Sequence, residues 1–336
     1  MNSITFECSG TTRMKYLITL MLLVFAVMPS QFLSAQKSAV GISVGPTLFF
    51  GDLGGANAIG RPLFFDLERS LIKPVGSLLY PYQLNSRFGF EVMGSYTSIA
   101  GDDKLLQPRS VFSPEWYRWY RNLSFHTNLW DVQVHGEYYL LRYKPGSLKD
   151  RWGPYIMLGV GMFHFNPKTE YNGTTIELKP LHTEGEGFPG SDVKNYSLYQ
   201  PCIPAGVGIL YNVTSDLSIG FEYNDISTFT DYIDDVSTKY VSQADFNSYF
   251  SNDPSTAALA YEVSKRSDEI DPEGIYSYVT APGEQRGDYT DKDEYIFMQF
   301  SVHYTLGQHH IRPKNQMKCM KWGGETGEFK KRKPVK

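Results

Sequence analysis

Six ionisable residues, Arg87, Glu91, Asp131, His135, Glu137 and Glu222, fall on the polar side of alternating segments. In the run NLWDVQVHGEYYLL from Asn128 to Leu141, Asp131, Gln133, His135 and Glu137 share one parity. Trp130, Val132, Val134, Gly136, Tyr138 and Leu140 share the other. A histidine between carboxylates has the parts of a proton path, because its charge changes near neutral pH. The same residues also suit a hydrogen-bonded plug, since buried charge must find partners. Other arrangements point to less. Ser124 and His126 lie two apart but lack a G-x-S-x-G elbow. LHTEGEG and SNDPS carry oxygen ligands without a metal spacing. The glycines of GVGM and GVGIL precede no helix, so they are not a phosphate loop. RGD at 286–288 reads as a solvated loop, and the N-x-[ST] sequons at Asn122, Asn172 and Asn212 carry little weight. No cofactor, metal, small-molecule substrate or catalysis is expected.

The elements that hold these residues are strands, because the alternation has period two. It recurs from Val40 to Phe50, Ser77 to Leu84, Arg87 to Thr97, Asn128 to Leu141, Trp152 to Phe165, Cys202 to Tyr211, Leu217 to Asn224 and Tyr295 to Thr305. Connections at 85–86, 142–151 and 212–215 are short, and those at 51–74, 101–120, 166–198 and 231–294 are long. Short turns at one end and long loops at the other are the pattern of an outer-membrane barrel. The expected fold is all-β: an eight-stranded antiparallel transmembrane β-barrel, with both termini periplasmic. A soluble lipocalin-like barrel is the runner-up. Trp130, Tyr138, Tyr139 and Tyr143 are expected near the interfacial girdles. An eight-stranded barrel is just wide enough for side chains to fill. The six lumen residues are therefore expected to form a polar plug, with Arg87 its one cation.

The ends of the chain add location. Arg13 and Lys15 precede the apolar run YLITLMLLVFAVM, and Ser34 and Ala35 offer a cleavage point before Gln36. Residues 1–35 thus read as a removed signal peptide, and Cys8 lies too early to be a lipidation site. No later run reaches the ~20 apolar residues of a membrane helix. The net charge of −4 gives no cause to expect nucleic acid. The barrel is expected at 36–307. Its last long loop is acidic, with 15 Asp and Glu against 5 Lys and Arg from Asp231 to Glu294. It contains DPSTAALAYEVSKRS, a short helix with Asp253 or Ser255 as N-cap, and should fold over the barrel mouth. Residues 308–336 form a basic tail, with 9 Lys and Arg against 2 Glu. Its candidate partner-binding residues are Lys318, Cys319, Lys321, Trp322, Lys330 and Lys331. Cys202 and Cys319 are expected on opposite sides of a ~25 Å apolar band and so unable to pair.

Several stretches resemble a known family. They are GDLGG at 51–55, YQLNSRFGFEV at 82–92 and FEYNDISTFTDYIDDVSTKY at 221–240. KRSDE at 265–269, EQRGD at 284–288, DEYIFMQFSVHYTL at 293–306 and the Cys319-containing tail complete the set. Together they resemble the PorG-like outer-membrane barrels of the type IX secretion system, over nearly all the exported chain. The resemblance implies a non-enzymatic component set in outer-membrane lipid and associated with the periplasmic ring of that apparatus. The alternative is a stand-alone barrel that binds an extracellular ligand through its loops.

Overall fold

The computed structural model describes residues 37–53, 71–108 and 110–306. Ten strands are formed: β1 (Lys37–Phe50), β2 (Lys73–Gln83), β3 (Phe88–Asp102), β4 (Ser124–Tyr139), β5 (Trp152–His164), β6 (Lys168–Tyr171), β7 (Thr174–Glu177), β8 (Tyr199–Asn212), β9 (Leu217–Thr228) and β10 (Glu294–Thr305). Eight of them, all but β6 and β7, run β3-β2-β1-β10-β9-β8-β5-β4, and β3 pairs with β4 to close the ring. Every pairing in the ring is antiparallel. The first and last strands meet where Ala39 faces Thr305 and Phe50 faces Glu294. A closed ring has no free edge, so every barrel strand has backbone partners on both sides.

The short connections are set by side chains that replace backbone partners. At 84–87 the Asn85 carboxamide oxygen accepts from the Arg87 and Phe88 amides (2.8 and 3.0 Å). At 213–216 the Thr214 hydroxyl accepts from Asp216 and Leu217 (3.2 and 3.0 Å). Both are the local turns that Asn and Thr favour. The long connections all lie at the other end.

The wall has the inverted polarity expected of a barrel in lipid. Ile42, Leu78, Leu158 and Phe300 are 59, 71, 63 and 66% exposed, while Gln133, His135 and Asn224 are fully buried. A soluble barrel of the lipocalin kind would reverse these faces. An apolar belt of this extent on a water-soluble monomer would be exceptional; facing hydrocarbon it is required. Among the described residues no helix is long and apolar enough to cross a membrane.

The β3–β4 hairpin pairs from Phe88↔Tyr138 to Asp102↔Ser124, fifteen rungs. At ~3.3 Å per residue it outruns a ~25 Å band even when tilted. Its far end enters a cap made by the long loops. The cap holds α1 (Pro114–Arg121), α2 (Gln243–Tyr249), α3 (Pro254–Ser264) and the β6–β7 hairpin. Leu53, Leu178, Ile233, Val236, Phe246, Ala257 and Val263 share its core, which is continuous with Met93, Phe163 and Phe297 at the top of the lumen. The helix expected around Ala257 is present, and Asp253 is its N-cap, accepting from the Thr256 amide. α1 and the β6–β7 hairpin were not foreseen.

Candidate functional site

The lumen contains polar side chains linked both along single strands and between them. The Gln133 amide donates to Asp131 (2.7 Å). Its oxygen accepts from Asn224 (3.0 Å) and lies 2.7 Å from His135 Nε2. With the Gln133 oxygen as acceptor, His135 carries its proton on Nε2. Tyr295 reaches Asp131 from β10 (3.2 Å). Nearer the turns, Tyr139 donates to Glu137 and Tyr155 to Glu222, both at 2.7 Å. The two tyrosine rings lie 5.4 Å apart. Gly208 lets Tyr155 lie against the wall, for a Cβ there would sit 2.2 Å from the ring. A third layer joins Gln299 to Ser77 and Ser77 to Ser95 (2.6 and 3.0 Å).

Five of the six expected lumen residues thus lie inside: Glu91, Asp131, His135, Glu137 and Glu222 are all buried. Arg87 does not join them. It sits in the 84–87 turn, half-exposed, and its guanidinium donates to the Leu140 carbonyl (2.8 Å). The turn places its backbone at the rim, one residue before β3 begins, so its side chain runs along the rim. Neutral donors take the place the cation was expected to fill. Tyr139 and Tyr143 also depart from expectation. Trp130 and Tyr138 face outward, but Tyr139 and Tyr143 are 1 and 2% exposed. They stack inside the barrel with centroids 5.0 Å apart. Their hydroxyls reach Glu137 and Asn212, which a lipid-facing position would deny them.

The cap contains the second cluster, and its contacts span the chain. The Arg121 guanidinium donates to both Asp103 carboxylate oxygens (2.8 and 3.0 Å), to the Arg286 carbonyl and to the Asp52 carbonyl (both 2.7 Å). Arg286 donates to Glu184 (2.8 Å) and to the Asp235 carbonyl (2.6 Å). Glu184 also accepts from the Ser237 and Thr238 amides. Asp234 accepts from Leu53, Asp293 from Ile233, and the Asp52 side chain from the Asp288 amide. Such carboxylate–amide and bidentate arginine bonds are the strong class. Acids outnumber the two arginines of this network. Burial, and then neighbouring Asp235 and Glu184, push Glu186 up to about 8. Burial raises Asp231 to about 7 and Asp235 to about 6.

Several residues read separately in the sequence meet here. Arg286 of the RGD tripeptide is 3% exposed, so this is not a solvated loop. Ser124 is bonded to Thr169 and Arg266, and no contact joins it to His126 as a catalytic pair would require. Asn122 is buried, donating to the Arg266 carbonyl, and Asn212 is buried under the 140–151 turn. Neither is accessible as a glycan acceptor. Among the described residues no three His, Cys, Asp or Glu converge as metal ligands. A cleft of about 1070 Å³ opens on the cap beside Tyr117, Tyr240, Tyr278, Asp288 and Lys292. The segment 1–35, expected to be a signal peptide, and the expected partner-binding residues Lys318, Cys319, Lys321, Trp322, Lys330 and Lys331 lie outside the described residues.

Closed ring, inverted polarity, filled polar lumen and folded loop cap define an eight-stranded β-barrel of the outer-membrane type. By sequence, the chain belongs to the family described as Domain of unknown function (DUF6089), whose model matches residues 16–254. No curated protein is similar enough in sequence to count as a match. Among solved structures, the Yersinia pestis attachment invasion locus protein Ail, in complex with the heparin analogue sucrose octasulfate, is 10% identical (81% of this chain, 99% of that one, TM-score 0.35). The N-terminal β-barrel domain of Pseudomonas aeruginosa OprF is 9% identical (81 and 99%, TM-score 0.31). A major outer membrane protein from Thermus thermophilus is 14% identical (81 and 100%, TM-score 0.33).

Proposed function

We propose that the chain is a non-enzymatic outer-membrane barrel that anchors the type IX secretion machinery. Both termini lie in the periplasm, and residues 308–336 contact the machinery's periplasmic ring. One observation carries the reading: four of the stretches that resemble the PorG-like barrels are joined in a single three-dimensional unit. GDLGG supplies Asp52 and Leu53, TDYIDDVS supplies Asp234 and Asp235, EQRGD supplies Arg286 and Asp288, and DEYIF supplies Asp293. The cap network bonds them to one another across up to 236 residues of sequence. Independent chance matches have no reason to meet in one buried network. The filled lumen agrees with a scaffold, since it leaves no bore for a protein to pass. Deletion of the gene should abolish secretion of many cargo proteins together; normal secretion in the deletion strain would refute the reading. The cleft on the cap favours a second reading, a stand-alone barrel that binds an extracellular ligand. That reading predicts that the detergent-solubilised protein brings down no ring components.

A further inference from the structure

The 140–151 turn is built unlike the other two. Tyr143 is drawn up into the lumen and donates to the Asn212 carboxamide oxygen (2.8 Å). The Asn212 amide donates to the carbonyls of Lys144, Ser147 and Asp150 (2.9, 3.1 and 3.3 Å). Its oxygen also accepts from the Gly146 amide (3.3 Å). One buried side chain thus fixes five positions of the turn. Held from inside the barrel, the turn forms a floor across its mouth and does not lie out along the surrounding lipid. On the solvent side of that floor Arg142, Lys144 and Lys149 are exposed. Leu148 stands among them, 54% exposed. Asp150 is the only acid in the turn. Arg151 is tied to the Leu148 carbonyl and the Tyr211 hydroxyl, which stiffens the same surface.

We propose that this floor is a preorganised docking surface for an acidic protein face, with Leu148 as the apolar anchor among three cations. The proposal rests on the reading that the turn end faces the periplasm and the secretion machinery. A rigid surface with a central apolar residue and a charged rim has the form of a binding hot spot. The occupant is not this chain's own tail. The tail leaves β10 at the same end but carries the same sign, 9 Lys and Arg against 2 Glu. Floor and tail therefore call for the same acidic partner. Leu140 and Leu141, where the turn leaves β4, are exposed beside the wall, whereas Tyr143 and Asn212 tie residues 143–150 to the lumen side; this favours a protein face over anionic lipid for Leu148 and its cations, and the adduct separates the two.

A photo-crosslinking phenylalanine analogue at position 148, in the full chain and in its own cells, tests this directly. The expected product is an adduct with a periplasmic ring component. Reversal of the rim by R142E/K144E/K149E should reduce it about tenfold or more, since like charges across an interface are strongly repulsive. The milder K144Q/K149Q should reduce it less, and heat-modifiable gel mobility should show an intact barrel in both. An adduct unchanged by reversal, adducts only with phospholipid, or no protein adduct would each overturn the proposal. The scaffold reading fails separately. If cargo secretion is normal in the deletion strain, yet a charge-dependent adduct with an acidic periplasmic protein forms at Leu148, the floor stands and the scaffold does not.

Discussion

The lumen and the cap both bury polar groups, but the lumen bonds them on strands held in register and the cap bonds them between loops. In the lumen Gln133–Asp131, His135–Gln133, Tyr139–Glu137 and His303–Ser301 each join residues two apart on one strand, while Tyr155–Glu222, Asn224–Gln133 and Gln299–Ser77 join strands across 67, 91 and 222 residues. In the cap, Arg286–Glu184, Arg121 to the Arg286 carbonyl, Leu53–Asp234 and Asp288–Asp52 span 102, 165, 181 and 236 residues. The lumen network therefore completes when barrel closure brings its strands into register. The cap can be satisfied only when four loops are in place together. The barrel should tolerate loss of the cap, and the cap should come apart as a unit.

The sharpest way to break that contrast is Arg286→Ala. It leaves Glu184 buried and uncompensated, with side chains 2 and 0% exposed in the native pair. Removing one partner of such a pair costs about 3–5 kcal/mol. Protease cleavage of the cap loops should rise steeply, while heat-modifiable mobility still reports a closed barrel. Joint loss of both would show the two regions to be one cooperative unit.

Rising pH should act on the cap in the same sense, more gently. Burial, its largest cause, raises Glu186 to about 8, Asp231 to about 7 and Asp235 to about 6. A carboxyl raised on folding holds its proton longer in the native state than in the unfolded one. Its contribution is full below the ordinary carboxylate range and is lost as pH rises through the folded value. Protection factors in residues 229–293, which remove the intrinsic rise of exchange with pH, should therefore fall between pH 5 and pH 9; a rise over that range would contradict the burial of these acids.

Within the lumen a single hydroxyl sets the scale. Tyr155→Phe strips Glu222 of its donor (2.7 Å) and should lower the urea midpoint of the barrel by an amount equivalent to about 1–3 kcal/mol. A neutral outcome would mean that water already shares that site. The smallest effect belongs to Asp253→Ala, which removes the cap of α3. It should show as faster exchange in residues 254–264 and nowhere in the barrel.

The same contrast separates what was legible in the sequence from what was not. Strands and lumen residues could be read because their partners lie at fixed parity, so Glu91, Asp131, His135, Glu137 and Glu222 follow from alternation alone. Arg87 was misplaced because parity says nothing about where a strand begins. Tyr139 and Tyr143 were misplaced because an aromatic ring suits a girdle, while its hydroxyl suits an interior acceptor. Two local signals were present and passed over. Asn172-Gly173, both at positive φ (49 and 75°), make the β6–β7 turn, and Asn-Gly is a strong hairpin signal. Ser113-Pro114 opens α1 as N-cap and first helical residue. The cap network had no such signal. Nothing in one sequence ties Asp52 to Asp288 or Arg286 to Glu184, although the stretches that carry them were singled out by resemblance.

The inverted wall underlies every statement about location and scaffold, and a spin-label scan of β4 tests it most directly. Single labels at positions 130 to 138, in the protein reconstituted into phospholipid vesicles, would report collisions with oxygen and with a water-soluble nickel complex. Oxygen access should peak at Trp130, Val132, Val134 and Tyr138, which are 39, 49, 46 and 37% exposed. It should vanish at Asp131, Gln133 and His135, which are at most 1% exposed. Loss of the alternation, or its reversal with the nickel complex reaching Val132 and Val134, would contradict a barrel whose apolar face meets lipid.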